Sequence, residues 1–328
     1  MSQVFDTLLL LALPASGKSE VRTFLTAKEP AAFHMGDTVQ LDDYPYVHLQ
    51  ILVDKALAKL GHAQVFHQTD AGGAQNGPFH DVHELGGLVE LLNDDYLALR
   101  RGQPDRPADP ARRLLERFDA ASVRAGGRAK FTSMSADLVT QIADAIREPA
   151  REYSDELAAS FPKSLDGRTV VIEFARGGPA TGHLPLPPGY GYAGSLPRLA
   201  PELLSRASVL YIRVDPAESR RKNRERARPD GDGSILFHGT PESVMESEYA
   251  ACDMMYLVEQ SDLPDTLRIE RDGRAFHLPV AVFDNRTDLT TFTREPEASW
   301  SEANMKALHD GLKGACDRLW AAQGSRAK

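Results

Sequence analysis

The chain is poor in cysteine and has no long apolar runs. Two cysteines among 328 residues exclude a disulfide scaffold and a cysteine-rich zinc site. The longest purely apolar run, Leu8 to Leu13, is too short for a membrane-spanning helix, which needs about 20 residues. It is also too short for the apolar part of a signal peptide. We therefore expect a cytoplasmic protein that has no membrane segment.

Positive charge is also in the minority. The 38 Lys and Arg residues against 47 Asp and Glu residues give a formal net charge of −9 at pH 7. This balance argues against a general nucleic-acid binder, although it allows a local basic patch. With 42% hydrophobic and 26% charged residues, the chain has the composition of an ordinary globular protein. Its length suits two or three domains, or one core with large insertions.

Short apolar segments of the kind that form buried strands recur along the chain. The clear ones span 7–13, 169–174, 209–214 and 279–283, with a possible second strand at 31–35 and a hairpin at 266–269 and 275–278 around Asp272-Gly273. Apolar residues at helical spacing predict helices over about 18–27, 47–60 and 301–322. Alternating strands and helices predict an α/β protein with a parallel central sheet and helices on both faces.

The middle of the chain has a different character. Residues 61–81 are rich in turn formers, and three helical segments follow at about 85–99, 111–125 and 138–146. We therefore assign 61–165 to a mostly helical insertion, a candidate acceptor-binding subdomain. The core then consists of 1–60 and 166–328.

The strongest motif directly follows the first strand. Residues 12–19 read Ala-Leu-Pro-Ala-Ser-Gly-Lys-Ser, which matches the phosphate-binding pattern G-x-x-x-x-G-K-[ST] except that Ala12 replaces the first glycine. Glycine lets the backbone N–H groups curl around phosphates, lysine reaches their oxygens, and serine can ligate Mg²⁺. The alternative is an ordinary strand, turn and helix with a surface lysine.

The motif in this context resembles the P-loop kinases related to adenylate kinase and dephospho-coenzyme A kinase. The resemblance covers the sheet segments, about half of the chain, and implies a three-layer αβα P-loop fold that binds ATP and Mg²⁺. It implies a small lid at about 215–260. The residues expected to contact the nucleotide in this loop are Pro14, Ala15, Ser16, Gly17, Lys18, Ser19 and Glu20.

Three further segments fit the resemblance. Glu173, at the end of a strand, would help Ser19 to hold Mg²⁺, although the family usually has Asp there, and Arg176 would face the transferred phosphate. An arginine-rich helix would neutralise charge on the phosphoryl group, and the arginines concerned are Arg220, Arg224 and Arg228. Asn285, after the last strand, would lie beside the adenine. The alternatives are solvated strand ends and an ordinary basic helix.

A kinase that phosphorylates a hydroxyl group needs a carboxylate base near it. Asp37 is the first candidate and Asp42 the second, although both could simply be turn formers or helix caps. The pair His80 and His83 lacks evident further metal ligands, so a cap by Asp81 explains that segment more simply.

The sequence therefore predicts an ATP-dependent phosphotransferase that acts on an unidentified small-molecule or nucleotide acceptor. The first alternative is a nucleotide-dependent ATPase or sensor that changes partner binding. The second is a polynucleotide end kinase, against which the acidic net charge argues. No feature of the sequence indicates an oligomeric state.

Overall fold

The computed structural model describes residues 4–27, 29–226 and 239–326. Its centre is a six-stranded sheet in the order β2-β3-β1-β4-β6-β5. Every neighbouring pair is parallel except β5 and β6, which form an antiparallel hairpin. The strands are β1 (Thr7–Ala12), β2 (Asp37–Asp42), β3 (Arg168–Ala175), β4 (Ala207–Arg213), β5 (Thr266–Arg271) and β6 (Arg274–Asp284).

Helices cover both faces of this sheet. In the described ranges they are α1 (Lys18–Ala27), α2 (Tyr44–Lys59), α3 (His83–Arg101), α4 (Pro110–Arg124), α5 (Ala136–Ala145), α6 (Arg147–Ala159), α7 (Gly191–Ser195), α8 (Pro201–Arg206), α9 (Pro216–Arg226), α10 (Glu242–Glu248), α11 (Met254–Glu259) and α12 (Glu302–Arg326). None of these helices is long and apolar enough to cross a membrane. The predicted α/β class with a mainly parallel sheet is confirmed.

The alternation of side chains along the strands separates two cores. Leu8 and Leu10 of β1 pack with α1 and α12 on one face, whereas Leu9 and Leu11 pack with α3 and α8 on the other. Because β1 is buried on both faces, its run of consecutive leucines is what a central parallel strand requires.

The helical segment 61–165 contributes to two cores. Val89, Leu92 and Tyr96 of α3 pack against the sheet, whereas other side chains of α3 join α2, α4 and α5 in a separate apolar cluster. The segment predicted as an insertion therefore supplies part of the layer that covers the sheet. A second helical core lies beside it.

The prediction of a strand at 31–35 is wrong. Residues Pro30–Phe33 form a 3-10 turn, which ends at His34 in the left-handed conformation (φ 57°), and β2 begins only at Asp37. This strand lies at the edge of the sheet and buries only Val39 and Leu41. Its alternating pattern is weaker than the continuous apolar runs of the central strands, so the apolar residues before it were mistaken for the strand.

Candidate functional site

The loop between β1 and α1 has the backbone conformation of a curled turn. Ala15 (φ 52°) and Gly17 (φ 93°) both have positive φ angles, a conformation that glycine adopts freely and alanine adopts at a cost. A Cβ atom on Gly17 would lie 2.4 Å from Thr290 Oγ1, so this position requires glycine for space as well. Ala12, by contrast, is the last residue of β1, where an extended backbone accommodates alanine.

Side chains from three other segments hold the carbonyl groups of this loop. Asn285 Nδ2 donates to the Ser16 carbonyl at 2.8 Å, and Ser219 Oγ donates to that of Pro14 at 2.7 Å. Tyr192 Oη donates to the Ala12 carbonyl at 3.0 Å. The backbone N–H groups from Ala15 to Ser19, however, donate to no residue that the structure describes. The loop thus has three of its carbonyl groups bonded to side chains and its N–H donors available, as an anion site requires.

Lys18 lies at the start of α1 and is half-buried. Burial lowers the pKa of Lys18, while the carboxylates of Glu173, Asp42 and Asp43 oppose this shift. Its ammonium group nevertheless makes no hydrogen bond or ion pair of standard length with any described residue. A partly buried cation without a close partner is a ready binding group for an anion.

Two carboxylates lie side by side near this lysine. Asp42 ends β2 and is paired in register with Glu173 of β3. Glu173 contacts Arg22 Nε at 2.6 Å, and burial raises its pKa while Lys18 and Arg22 lower it. Asp42 Oδ1 accepts a hydrogen bond from the Tyr44 backbone at 2.8 Å. Burial and then the neighbouring charges of Asp43 and Glu173 raise the pKa of Asp42 to about 7.

Arg176 holds Asp43 in position. Its Nη1 donates to Asp43 Oδ2 at 2.7 Å, and the same guanidinium donates to Ser195 Oγ at 3.1 Å and to the Leu85 carbonyl at 3.0 Å. Arg176 is 1% exposed. It therefore lies at the predicted end of the sheet, but its donors are directed to protein atoms, so it serves to position Asp43 and the start of α3.

The prediction that Asp37 is the first candidate base does not agree with the fold. Asp37 begins β2 whereas Asp42 ends it, so the two lie about 16 Å apart at roughly 3.3 Å per residue. The Asp37 side chain is 79% exposed and lies 3.4 Å from Arg168 Nη1. The misplaced second strand caused this error, and Asp42, the second candidate, is the residue that lies near Lys18.

The arginine-rich helix α9 is uneven in its contacts. Arg220 is half-buried and has no hydrogen-bond or ion-pair partner among the described residues. Arg224 is exposed and paired with Glu242 at 3.0 Å. Arg228, with the part of the predicted lid at 227–238, lies outside the described residues. Of the two predicted arginines that the structure describes, Arg220 is the one without a partner.

Some of the other predicted residues lie in or next to the loop, whereas others bond to neighbouring protein groups. Pro14 and Ser19 are half-buried in and after the loop, whereas Glu20 pairs with Arg294 at 2.6 Å. Asn285 is fully buried behind the loop, where its Oδ1 also accepts from the Leu289 backbone at 2.7 Å. Asn285 thus supports the loop, and its amide is not directed to an open pocket for a base.

The described residues include no group of three or more His, Cys, Asp and Glu side chains that could hold a metal ion. A magnesium ion at Ser19 and Glu173 would therefore need phosphate oxygens and water as further ligands, as is usual for this ion. At 80–84, Asp81 Oδ1 accepts from the backbone N–H of His83 at 3.0 Å, so Asp81 bonds the start of α3, in agreement with the capping interpretation.

Several supporting residues were not found from the sequence. Asp43, Tyr192 and Ser219 are separated from the loop by long stretches of chain, and only the register of the strands brings them together. The one sequence signal for these residues was the pair of adjacent acidic residues, Asp42 and Asp43, in front of a helix. Its significance depends on where β2 ends, which the sequence pattern did not define.

The chain matches no protein-family model, no curated protein and no solved structure at a significant level. Folds of this class support many unrelated activities, so the architecture by itself assigns none. The function must therefore be argued from the loop, from Lys18 and from the carboxylates beside it.

Proposed function

We propose that the protein binds ATP with Mg²⁺ at residues 14–19 and transfers its γ-phosphoryl group to a hydroxyl group of a small molecule. The observation that carries this proposal is the Lys18 ammonium without a described partner, at the end of a loop whose N–H groups have no acceptors among the described residues. Phosphate oxygens would provide acceptors for both. In a merely structural turn, we would expect such donors to bond to the protein.

In this proposal, Glu173 helps to bind the metal ion and Asp42 acts as the base. Ser19 Oγ and Glu173 would hold Mg²⁺, with Glu173 acting through water because Arg22 already contacts its carboxylate. When bound, this ion neutralises charge on the phosphate oxygens. Arg220, which has no described partner, would supply further positive charge at the transferred group.

Asp42 is the base in this proposal. Its carboxylate would accept the proton of the acceptor hydroxyl as the oxygen forms a bond to the γ-phosphorus and the bond to the β-phosphate oxygen breaks, releasing ADP. A base is most effective when its pKa lies near the working pH, and the pKa of Asp42 is raised to about 7. Asp43, fixed by Arg176, keeps the start of α2 beside this reaction.

Calorimetric titration with Mg-ATP and Mg-GTP tests the nucleotide site. We expect micromolar binding of Mg-ATP by the wild type and a loss of at least 100-fold in Lys18→Ala, about 2.7 kcal/mol. Lys55→Ala, at an exposed position of α2, is the matched control and should bind as the wild type does. Binding that is absent in the wild type, or equal in both variants, would contradict the proposal.

Phosphotransfer is tested with γ-labelled ATP and a panel of hydroxyl-bearing acceptors. We expect label in an acceptor and a loss of this product in Asp42→Asn. Release of labelled inorganic phosphate without any labelled acceptor would instead support the ATPase or sensor alternative. Transfer of label to the 5′ end of an oligonucleotide would support the end-kinase alternative.

A further inference from the structure

A second group of buried polar atoms lies on α2 and on the segment that follows it. Asp54 is fully buried and accepts from the backbone N–H groups of Val65 at 2.8 Å, Phe66 at 3.2 Å and His67 at 2.7 Å. It also lies 3.1 Å from Nδ1 of His67. Since a carboxylate only accepts hydrogen bonds, Nδ1 carries a proton, and in the neutral imidazole Nε2 then presents a lone pair. This Nε2 is buried and has no hydrogen-bond partner in the part of the chain that the structure describes.

Gln50 provides a second acceptor without a partner. It is 1% exposed, and its Oε1 forms no hydrogen bond. Gln50 lies one helical turn before Asp54 on α2, on the same face of the helix. α2 begins directly after Asp43, so Gln50 lies about 10 Å from Asp43 along the helix axis, at 1.5 Å per residue. It is therefore placed between the candidate base Asp42, which precedes Asp43, and the part of α2 that bonds to His67.

Direct contacts join His67 to the candidate site. The rings of His67 and Phe79 are 4.5 Å apart, and the Phe79 N–H donates to Glu248 Oε1 at 2.8 Å. The backbone of Glu248 in turn packs against Gly177, which follows Arg176. The segment that carries His67 therefore extends the wall formed by Asp43 and Arg176.

The charges of this wall favour a neutral ligand. Its carboxylates are Asp43, Asp54 and Glu248, and the guanidinium of Arg176 is already occupied by Asp43, Ser195 and Leu85. Lys130, which lies 4.9 Å from the centre of the Phe66 ring, is paired with Glu84. Lys18 acts on Asp43 without a described partner, but the proposed function assigns it to the nucleotide, so none of these three cations is left for a phosphate or a carboxylate of the acceptor.

We propose that Gln50 and His67 form the acceptor subsite and bind hydroxyl groups of a neutral polyhydroxylated molecule such as a sugar or a cyclitol. Buried acceptors without partners discriminate strongly in favour of ligands that supply donors, because other ligands leave these atoms unpaired. This proposal rests on the proposed phosphotransfer, in which the bound molecule presents one of its hydroxyl groups to Asp42.

Binding to this subsite can be measured without ATP. In protein labelled with ¹⁵N-histidine, the ring nitrogen resonances of His67 report both its tautomer and a new hydrogen bond to Nε2. The probes are three neutral polyols, glucose, myo-inositol and glycerol, each compared with its own phosphate monoester. We expect an Nε2 shift with at least one neutral polyol and none with its monoester. A shift with the monoesters alone, or no shift with any polyol, would overturn the proposal.

Substitution of Gln50 separates binding from folding. Gln50→Met removes an acceptor that makes no hydrogen bond within the protein, so the variant should fold and keep the wild-type affinity for Mg-ATP. For the polyol that shifts His67, we expect KM to rise about tenfold with kcat within twofold. Gln103→Met, at an exposed position after α3, is the control and should leave both unchanged.

The two proposals fail in different ways. A wild type that does not bind Mg-ATP removes the proposed phosphotransfer, whereas the histidine resonances still decide whether polyols bind. A wild type that phosphorylates an acceptor with equal KM in Gln50→Met and Gln103→Met retains the phosphotransfer and overturns the subsite. Should Gln50→Met fail to fold, His67→Gln, which keeps a donor for Asp54, provides the same comparison.

Discussion

Two half-buried lysines of this molecule have opposite surroundings. Lys130, in the helical segment, contacts Glu84, donates to Ser122 Oγ at 3.0 Å and lies 4.9 Å from the centre of the Phe66 ring. Lys18, at the end of the sheet, is attracted by several carboxylates but bonds to none of the described residues. A buried charge with its partners in place is costly to strip of one of them, whereas one held without partners is available to a ligand.

The largest expected difference between the two lysines is in stability. Lys130→Met should lower the free energy of unfolding by about 3–5 kcal/mol, because it leaves the buried Glu84 carboxylate without its counter-charge. Lys18→Met should change it by less than about 1 kcal/mol, since Glu173 and Asp43 keep Arg22 and Arg176 as partners. Urea unfolding of both variants measures these values.

A double variant serves as the control for Lys130. Glu84→Gln combined with Lys130→Met removes both charges of the pair, so most of the lost stability should return. A loss of stability in Lys18→Met as large as that in Lys130→Met would mean that both lysines are structural. The contrast between the two regions would then disappear.

The next largest effect is the contribution of Asp42 to the pH dependence of stability. Burial raises its pKa from 3.8 to about 7, so between these values the folded protein keeps a proton that the unfolded chain releases. The stabilisation is complete below pH 4 and is lost as the pH rises through 7. Asp42→Asn should therefore be more stable than the wild type at pH 8, by about 2 kcal/mol after allowing for partial exposure, and equal to it near pH 4.

Chemical denaturation at these two pH values, with Asp37→Asn as the control, measures the Asp42 effect. The control residue lies at the other end of β2 and is exposed, so its substitution should change little at either pH. If Asp42 is the base, kcat/KM of the wild type should rise through about pH 7, as the carboxylate forms, and Asp42→Asn should lack this rise. Equal pH dependence in both proteins would exclude Asp42 as the base.

The parts of the molecule that were predicted correctly are those with local signals. β1, β3, β4 and the hairpin of β5 and β6 have apolar runs or a turn dipeptide that define them without the rest of the chain. The loop before α1 also carries a local motif, but its role as a phosphate loop stays a prediction. β2 has only the alternating pattern of an edge strand, and the predicted strand was placed too early in the chain. The first candidate base, Asp37, was therefore chosen at the wrong end of the sheet. His67 could be named from the sequence as a candidate for a substrate pocket, but without a spacing argument. Gln50 could not be found, because no sequence spacing marks a polar atom that lacks a partner.

A smaller effect is expected at Asn285 and distinguishes loop support from base recognition. Asn285→Ala removes the bonds to the Ser16 carbonyl and the Leu289 N–H, which should cost about 1–2 kcal/mol of stability. In the proposed function the loop binds the phosphates and not the base, so the affinities for Mg-ATP and Mg-GTP should fall by the same factor, roughly tenfold. Calorimetry with both nucleotides measures this ratio. A variant that loses affinity for only one of them would show that Asn285 contacts the base.

The smallest expected effect is found by comparing two serines. Their hydroxyl groups are alike in lacking a described hydrogen-bond partner, but the two residues lie at different ends of the sheet. Ser16 lies in the loop and Ser208 lies near the start of β4, at the opposite end of the sheet, and both hydroxyl groups are buried without a hydrogen-bond partner. Replacing either with alanine should change stability by no more than about 0.5 kcal/mol, because no bond within the protein is lost.

Only the loop serine should affect the nucleotide. We expect Ser16→Ala to weaken Mg-ATP about fivefold, the loss of roughly one hydrogen bond of 1 kcal/mol, and Ser208→Ala to bind as the wild type does. Calorimetric titration of the two variants gives the comparison directly. Equal affinities would mean that the Ser16 hydroxyl is an ordinary unpaired group of the interior, and that a missing partner indicates a ligand only where a charge such as Lys18 lies beside it.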